Sequence, residues 1–161
     1  MGDARMNSMD ILDALNARLL ERWPDRTVYI DVCPIDYERP SFWLSVTKDD
    51  RTRVTPRLCR RSVQIRLTLH DEADEHYDIH WQRLNDEVSA CLDLLGGSLH
   101  VGARRLLPQL QSAPREADRA SVLLNFEFME QVQEAQPEIP AADSCEISVQ
   151  VNGGEIYQRS E

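Results

Sequence analysis

The 161-residue chain has few cysteines, and none of them is placed to form a recognisable zinc site. Cys33, Cys59, Cys91 and Cys145 lie far apart, without a CxxC pair or histidines at zinc-finger spacing, so we expect free thiols. No apolar run approaches the roughly 20 residues of a membrane span, and the opening stretch MGDARMNSMD is polar. These absences predict a cytoplasmic protein without a membrane anchor.

The chain also lacks the usual signatures of catalysis. A glycine-rich phosphate loop, a GxSxG elbow and a recognisable carboxylate pair are all missing. His76 and His80 are four residues apart in a segment with helical periodicity, so they would share one helix face and could supply two metal ligands. The string HYDIH lacks the glutamate of HExxH, and a third ligand is not apparent. We therefore predict no enzyme activity, no cofactor and no metal; a small metal-dependent enzyme using both histidines is the alternative.

The charge of the chain is strongly negative. Aspartate and glutamate number 28 against 18 lysines and arginines, which gives a formal net charge of −10. Such a surface repels nucleic-acid phosphates, because non-specific DNA binding depends on lysine and arginine contacts. The composition disfavours a sequence-specific DNA binder, but it is compatible with a surface that DNA passes without sticking.

Two segments have the periodicity of amphipathic helices. Ser8 would cap the first, which Pro24 ends, and its apolar residues recur every three or four positions: Met9, Leu12, Leu15, Leu19 and Trp23. The second would begin among the acidic residues Asp71 to Glu75, which favour a helix N-terminus, and end at Gly96. Its apolar stripe comprises Tyr77, Trp81, Leu84, Val88, Cys91, Leu92 and Leu95.

Alternating apolar residues predict strands at 27–32, 41–47, 61–70 and 121–132, with a weaker candidate at 98–107. Polar connections separate them. The stretch 48–57 contains Pro56 and reads as a mobile excursion, and QLQSAPREADRA reads as a connection. After the proline-containing segment 133–144, the string CEISVQV and the Asn-Gly-Gly turn at 152–154 suggest a final hairpin.

These elements predict an α+β fold. The alternating strands need one buried face, and two amphipathic helices can cover it. We expect a mainly antiparallel sheet of about five strands with both helices on one face, plus a C-terminal arm or hairpin. The predicted division is an α+β domain at 1–134 and a linker with a strand arm at 135–161.

Basic residues concentrate in and beside the predicted excursion before the strand at 61–70. This cluster comprises Lys48, Arg51, Arg53, Arg57, Arg60 and Arg61. One interpretation is a solvated loop. The other is a contact with the acidic surface of a neighbouring subunit, because the guanidinium group pairs carboxylates with two parallel hydrogen bonds. An identical copy of this acidic chain would be a suitable partner.

The order and type of these segments between Met9 and Val132 resemble the phage tail terminator, or tail completion, proteins. The similarity is carried by the helix ILDALNARLLERWP, the strands TVYIDV and PSFWLSVTK, the arginine-bearing loop, the strand RRSVQIRLTL, the helix HWQRLNDEVSACLDLL and the late strand VLLNFEFMEQV. The connection QLQSAPREADRA and the residues after Gln133 depart from the family.

The resemblance implies a virion structural protein of the tail that is assembled in the host cytoplasm. It would form a ring, typically a homohexamer, that caps the tail tube, stops its polymerisation and provides the head-joining surface. Its partners would be further copies of itself, the tail tube protein and the head-tail connector, while DNA passes the lumen without specific binding. The cluster from Lys48 to Arg61 would lie at subunit or tube contacts. Another head-tail joining or tail-tube-related protein is the alternative.

Overall fold

The computed structural model describes residues 5–72, 76, 80–114, 116–133, 146–151 and 154–159. Two helices are present in these residues, α1 (Ser8–Arg22) and α2 (Trp81–Leu95). The strands are β1 (Thr27–Ile30), β2 (Ser41–Thr55), β3 (Leu58–His70), β4 (Leu99–Val101), β5 (Arg104–Leu106), β6 (Gln109–Ser112), β7 (Arg119–Gln131), β8 (Glu146–Val151) and β9 (Gly154–Arg159).

One five-stranded sheet organises the chain. Its strand order is β1-β2-β3-β7-β6, and every neighbouring pair is antiparallel except β1 and β2, which are parallel. The pairs β4-β5 and β8-β9 form two-stranded sheets of their own. The predicted α+β class with a mainly antiparallel sheet and two helices is confirmed.

The core lies between the helices and one face of this sheet. Every second residue of the central strands is buried there, as the alternation predicts: Phe42, Leu44, Val63, Ile65, Leu67, Leu69, Val122, Leu124, Phe126 and Phe128. From the helices come Ile11, Leu12, Leu15, Leu19, Leu84, Cys91 and Leu95. Burial of each large apolar side chain contributes about 1.5–3 kcal/mol, so this layer is the main source of stability.

The first helix begins at Ser8, the residue that was predicted to be its N-cap. Asn7, not Ser8, is the N-cap, and its backbone N–H donates to the Asp10 carboxylate at 2.7 Å. The carboxylate thereby satisfies an N–H group at the helix start. At the other end, the ring of Trp23 packs edge-on against Phe42, with 5.2 Å between the ring centroids.

The second helix is shorter than predicted, because it begins at Trp81 with His80 as its N-cap. Asp71 and Glu72 precede the helix, so the prediction that the helix begins among the acidic residues is wrong. Asp71 is buried and accepts hydrogen bonds from Arg83 at 3.1 and 3.2 Å. The remaining acidic residues of that prediction and Tyr77 lie outside the described residues.

The largest difference concerns the segment 48–57, which is not a mobile excursion. Strands β2 and β3 continue their antiparallel pairing out to Thr55 and Leu58, with irregularities after Val46 and Arg53. Pro56 and Arg57 form the turn, which is where a β-hairpin tolerates a proline. The strand could not be predicted here, because both faces of β2 are exposed and apolar residues do not alternate with polar ones.

Two shorter segments also differ from prediction, and one agrees. The stretch 98–107 is not one strand but the hairpin β4-β5, which turns at Gly102 with a φ of 59°. The connection QLQSAPREADRA contains β6 and the start of β7. The predicted final hairpin is confirmed, since β8 and β9 pair antiparallel with Val151 opposite Gly154. The predicted linker falls mostly outside the described residues.

Candidate subunit interface

The predicted basic cluster lies on the outer part of the β2-β3 hairpin, residues 47–61, here called the distal hairpin. It contains six basic and two acidic side chains. The structure places Lys48, Arg51 and Arg53 on β2, Arg57 in the turn, and Arg60 and Arg61 on β3. All residues from 47 to 55 are exposed. The distal hairpin is therefore a positively charged pair of regular strands in an acidic chain.

One side of β2 is open in the distal hairpin. β2 pairs with β1 only from Ser41 to Leu44, whereas it pairs with β3 along nearly its whole length. Among the described residues, 47–55 have no strand on the β1 side. An open edge presents backbone N–H and C=O groups that can pair with another chain, and lysine and arginine on such an edge also discourage indiscriminate pairing.

Arg61 differs from the rest of the cluster because its side chain is only 2% exposed. Its Nε and Nη2 atoms donate to Asp49 Oδ1 and Oδ2 at 2.8 and 2.7 Å. Its Nη1 atom donates to Glu130 Oε1 at 2.9 Å and to the Met6 carbonyl oxygen. One guanidinium thus joins β2, β3, β7 and the start of α1.

The charges of Arg61, Asp49 and Glu130 stabilise one another. The hydrogen bond from Arg61 is the main reason that the pKa of Asp49 lies below its usual value, and burial partly opposes that effect. The same bonds with Asp49 and Glu130 raise the pKa of Arg61. The ion pairs are formed within the subunit. Arg61 therefore joins the strands of the distal hairpin from inside, and the exposed basic residues of the cluster are Lys48, Arg51, Arg53, Arg57 and Arg60.

The sequence contained a signal for the position of Arg61. Position 61 continues the inward-facing row of Val63, Ile65, Leu67 and Leu69, so period-two spacing places its side chain on the core face. An inward-facing arginine needs a carboxylate, because an unpaired buried charge is costly. The partner Glu130 is 69 residues away, and sequence spacing gave no means of finding it.

Apolar and aromatic groups lie beside the arginines. Val54 on β2 is 48% exposed and Met129 on β7 is 38% exposed. The guanidinium groups of Arg61 and Arg104 lie 5.8 and 5.9 Å from the centre of the Phe128 ring. Exposed apolar side chains among arginines are a common composition for a protein interface.

A buried serine-histidine pair lies at the other end of the hairpin. Ser41 Oγ and His70 Nδ1 are 3.0 Å apart, and the Tyr37 ring stacks on the imidazole at 4.0 Å. Both members of the pair are fully buried, so a substrate has no access to the hydroxyl group. Burial first, and then the charges of Arg119 and Arg39, lower the pKa of His70 to about 4. The pair is a structural contact of the core.

The predicted histidine face is wrong, because His80 caps α2 while His76 precedes the helix. Within the described residues, no three histidine, cysteine or acidic side chains are grouped to bind a metal ion. Cys33, Cys59 and Cys91 are free thiols, as predicted, and Cys145 lies outside the described part. Neither described helix has the length and apolarity that a membrane crossing requires.

Comparison with known proteins identifies the family of the chain. No curated protein matches the chain. The sequence profile of the phage tail terminator protein family matches residues 10–107, about three-fifths of the chain. The match runs from α1 past β5 and includes the distal hairpin with Asp49 and Arg61, while β6, β7 and Glu130 lie beyond it. The chain therefore belongs to the phage tail terminator family.

Proposed function

We propose that this protein is a ring subunit that caps the head-proximal end of the tail tube. The ring, a homohexamer by the family resemblance, stops tube polymerisation and provides the surface to which the head is joined. The role is structural, with no reaction and no cofactor. Besides family membership, the observation that carries the proposal is the distal hairpin, a basic pair of strands with an open edge in a chain of net charge −10.

The distal hairpin is suited to bind an acidic neighbour. Lys48, Arg51, Arg53, Arg57 and Arg60 lie on two paired strands and their turn. Because the backbone is already ordered, binding costs less conformational entropy than it would from a mobile loop. The neighbour is either a further copy of the subunit or the tail tube protein, and the arginines would pair its carboxylates at the contact.

Arg61 supports this surface from inside. Its bonds to Asp49 and Glu130 fix β2 to β7 across β3. Its bond to the Met6 carbonyl oxygen fixes the start of α1 to the same point. The exposed arginines are thereby presented at defined positions, which a closed ring requires of every copy.

The net negative charge fits a ring through which DNA passes. Acidic side chains facing the lumen would repel phosphate, so the genome would not bind on its way. The remaining partner is the head-tail connector on the opposite face of the ring. The protein would be assembled in the host cytoplasm and become part of the virion tail.

The test is tube capping. Purified tail tube protein is polymerised with and without this protein, and tube length and the occupancy of tube ends are measured by electron microscopy. We expect capped ends and shorter tubes. Tubes that grow to the same length with uncapped ends would overturn the proposal. A protein that joins heads yet leaves tube growth unchanged would instead be another head-tail joining protein.

The interface is tested with Arg51→Glu combined with Arg57→Glu. We expect the double variant to lose self-association or capping without loss of thermal stability, because both side chains are exposed. The matched control is Arg18→Glu with Arg22→Glu, which reverses two exposed charges in the C-terminal half of α1. Equal capping by the Arg51/Arg57 variant and by the control would exclude the distal hairpin as the contact.

A further inference from the structure

The C-terminal hairpin has too few strands to be stable alone. β8 and β9, six residues each, pair with one another in a two-stranded sheet, and with no other strand in the described part of the chain. An isolated two-stranded hairpin is marginally stable in water, and a third strand or a packed layer is needed to support it. β8-β9 therefore requires a partner surface.

The open edge of β2 offers the missing strand. Residues 47–55 are exposed and pair only with β3 among the described residues, and they are long enough to align with a six-residue strand. Addition of a strand to such an edge forms main-chain hydrogen bonds and leaves side chains to set the specificity. It would also remove an exposed edge from the assembled particle.

Charge favours this pairing. Residues 134–161 contain six acidic side chains and one arginine, which is half of the net charge of −10 in about one-sixth of the chain. The distal hairpin contains six basic and two acidic side chains. The outer part of β7, beyond its pairing with β6, is a poorer partner because it carries the exposed Glu127 and because its Met129 carbonyl oxygen already accepts a hydrogen bond from Arg104.

The connecting chain is long enough to reach another subunit. β7 ends at Gln131, which lies opposite Leu58 at the tip of the distal hairpin. Fourteen residues, 132–145, separate it from β8, and an extended chain of that length spans roughly 45 Å. The five-stranded sheet is roughly 19 Å wide between its outer strands, from their usual spacing.

We propose that the β8-β9 hairpin of one copy adds to the β2 edge, residues 47–55, of the next copy around the ring. The inference rests on the proposed ring function and names its contact. The two surfaces differ, so each copy gives one hairpin and accepts another, and such a head-to-tail contact forms a ring when the rotation between copies closes. In the subunit itself β8-β9 forms its own sheet, which leaves the β2 edge for a neighbour.

Lys48 makes the contact directly testable, because it is the single lysine of the chain and lies within the proposed contact. Equal amounts of nitrogen-14 and nitrogen-15 protein are mixed, and a zero-length carbodiimide reagent joins amines to adjacent carboxylates. The reaction is run on concentrated free protein and on protein added to tail tubes. Lys48 Nζ lies 2.8 Å from Asp50 Oδ2, so a cross-link within the chain is the internal control.

We expect mixed-isotope peptides that join Lys48 to Glu146, Glu155 or Glu161. Lys48 linked to these residues only within one chain would show that the hairpin adds to its own subunit, and would overturn the inference. The absence of any link from Lys48 to the C-terminal residues in both samples would overturn it too. Normal tube capping in that same sample would show that the proposed function stands while this contact does not.

Charge exchange supplies an independent test in the full-length protein. Glu146→Lys with Glu155→Lys, and separately Arg51→Glu with Arg53→Glu, should each weaken self-association or tube-end binding at least tenfold. The four changes together should restore most of it, because the signs are again opposite. Glu21→Lys with Glu116→Lys is the control at exposed sites elsewhere. No recovery in the combined variant, or equal weakening by the control, would contradict a direct contact.

Discussion

The two ends of the β2-β3 hairpin share one hydrogen-bond ladder but are stabilised by different chemistry. At the base, Phe42 and Leu44 of β2 and Leu67 and Leu69 of β3 are fully buried in the core. At the distal end, every residue of β2 from 47 to 55 is exposed, and the inward positions on β3 are taken by Cys59 and Arg61. At the distal end an ion-pair cluster therefore stabilises the inward face of the hairpin, whereas apolar packing stabilises that face at the base.

This difference shows how the distal end remains paired while the outer strand β2 is exposed there. β3 lies between β2 and β7 along its whole length, down to Leu58 opposite Gln131. The sheet therefore gives the distal end two backbone ladders, and Arg61 adds side-chain bonds across them. The arrangement separates two requirements: the base supplies stability, and the distal end supplies a charged surface.

The largest effect is expected from Arg61→Ala. It leaves Glu130 buried without its ion-pair partner, and breaking a buried pair in this way costs about 3–5 kcal/mol. The free energy of unfolding in urea is the measurement, and Arg60→Ala, an exposed neighbour, is the control, with a change within about 0.5 kcal/mol. Equal stability of the two variants would show that the cluster does not hold the distal end.

The chemistry at this position can be tested further with Arg61→Met combined with Glu130→Leu. Apolar replacement of a whole buried ion pair is often neutral or stabilising, so most of the loss from Arg61→Ala should be recovered. Asp49 is 29% exposed and can be solvated when its partner is removed. A double variant as unstable as Arg61→Ala would mean that the distal end requires the ion pair itself.

At the base, Leu67→Ala should reduce the free energy of unfolding by about 2–5 kcal/mol, because it leaves a cavity in a fully packed layer. Val54→Ala in the distal hairpin removes a side chain that is already half exposed, so a loss below about 0.5 kcal/mol is expected. Both values come from urea titrations. Comparable losses would contradict the contrast between the two ends.

Acid should weaken the two ends in separate pH ranges. Folding keeps His70 neutral by lowering its pKa from 6.5 to about 4, so its contribution is complete above pH 6.5 and is lost as the pH falls to about 4. The upper limit of this loss is about 3 kcal/mol. The pKa of Asp49 is also lowered, from 3.8, so its contribution is lost only below that pH.

Unfolding free energies of the protein and of His70→Gln between pH 7 and pH 4.5 provide the measurement. The variant should lose the steeper part of the dependence in this range, while Asp49→Asn should leave that part unchanged. A slope that persists in His70→Gln would assign the acid sensitivity to other groups.

The smallest effect on stability is expected from Arg57→Ala, a substitution in the exposed turn. Its free energy of unfolding should change by less than about 0.5 kcal/mol. Self-association or tube-end binding, measured by light scattering or sedimentation, should nevertheless weaken. A large loss of stability would mean that the turn supports the fold and is not a free contact surface.

Much of the fold could be predicted wherever one face of a segment is buried. The alternation at 61–70 and 121–132 gave β3 and β7 nearly to their ends, and the stripe from Met9 to Trp23 gave α1. The distal hairpin could not be found in this way, because both faces of β2 are exposed there and leave no apolar period. The start of α2 was predicted too early, because acidic residues favour a helix N-terminus. In the structure Asp71 lies before the helix and accepts a hydrogen bond from Arg83 within it.

The candidate interface was predicted by composition but not by geometry. The basic cluster was evident in the sequence, whereas its division into five presented groups and one internal ion pair depends on Glu130, which is distant in sequence. The open β2 edge depends on the shortness of β1, which ends where Asp31 adopts a φ of 63°. Neither feature has a local signal that a single sequence displays.

The long separation between β3 and β7 has a consequence for how the chain folds as it is synthesised. The β2-β3 hairpin is a local structure that can form once residue 70 has emerged from the ribosome. Its second neighbour, β7, follows only after residue 119, and pairings so distant in sequence form slowly. Until then β3 has an open side and Arg61 lacks Glu130. The nascent chain must therefore keep its central strand from pairing wrongly while residues 71–118, and then β7 itself, are made.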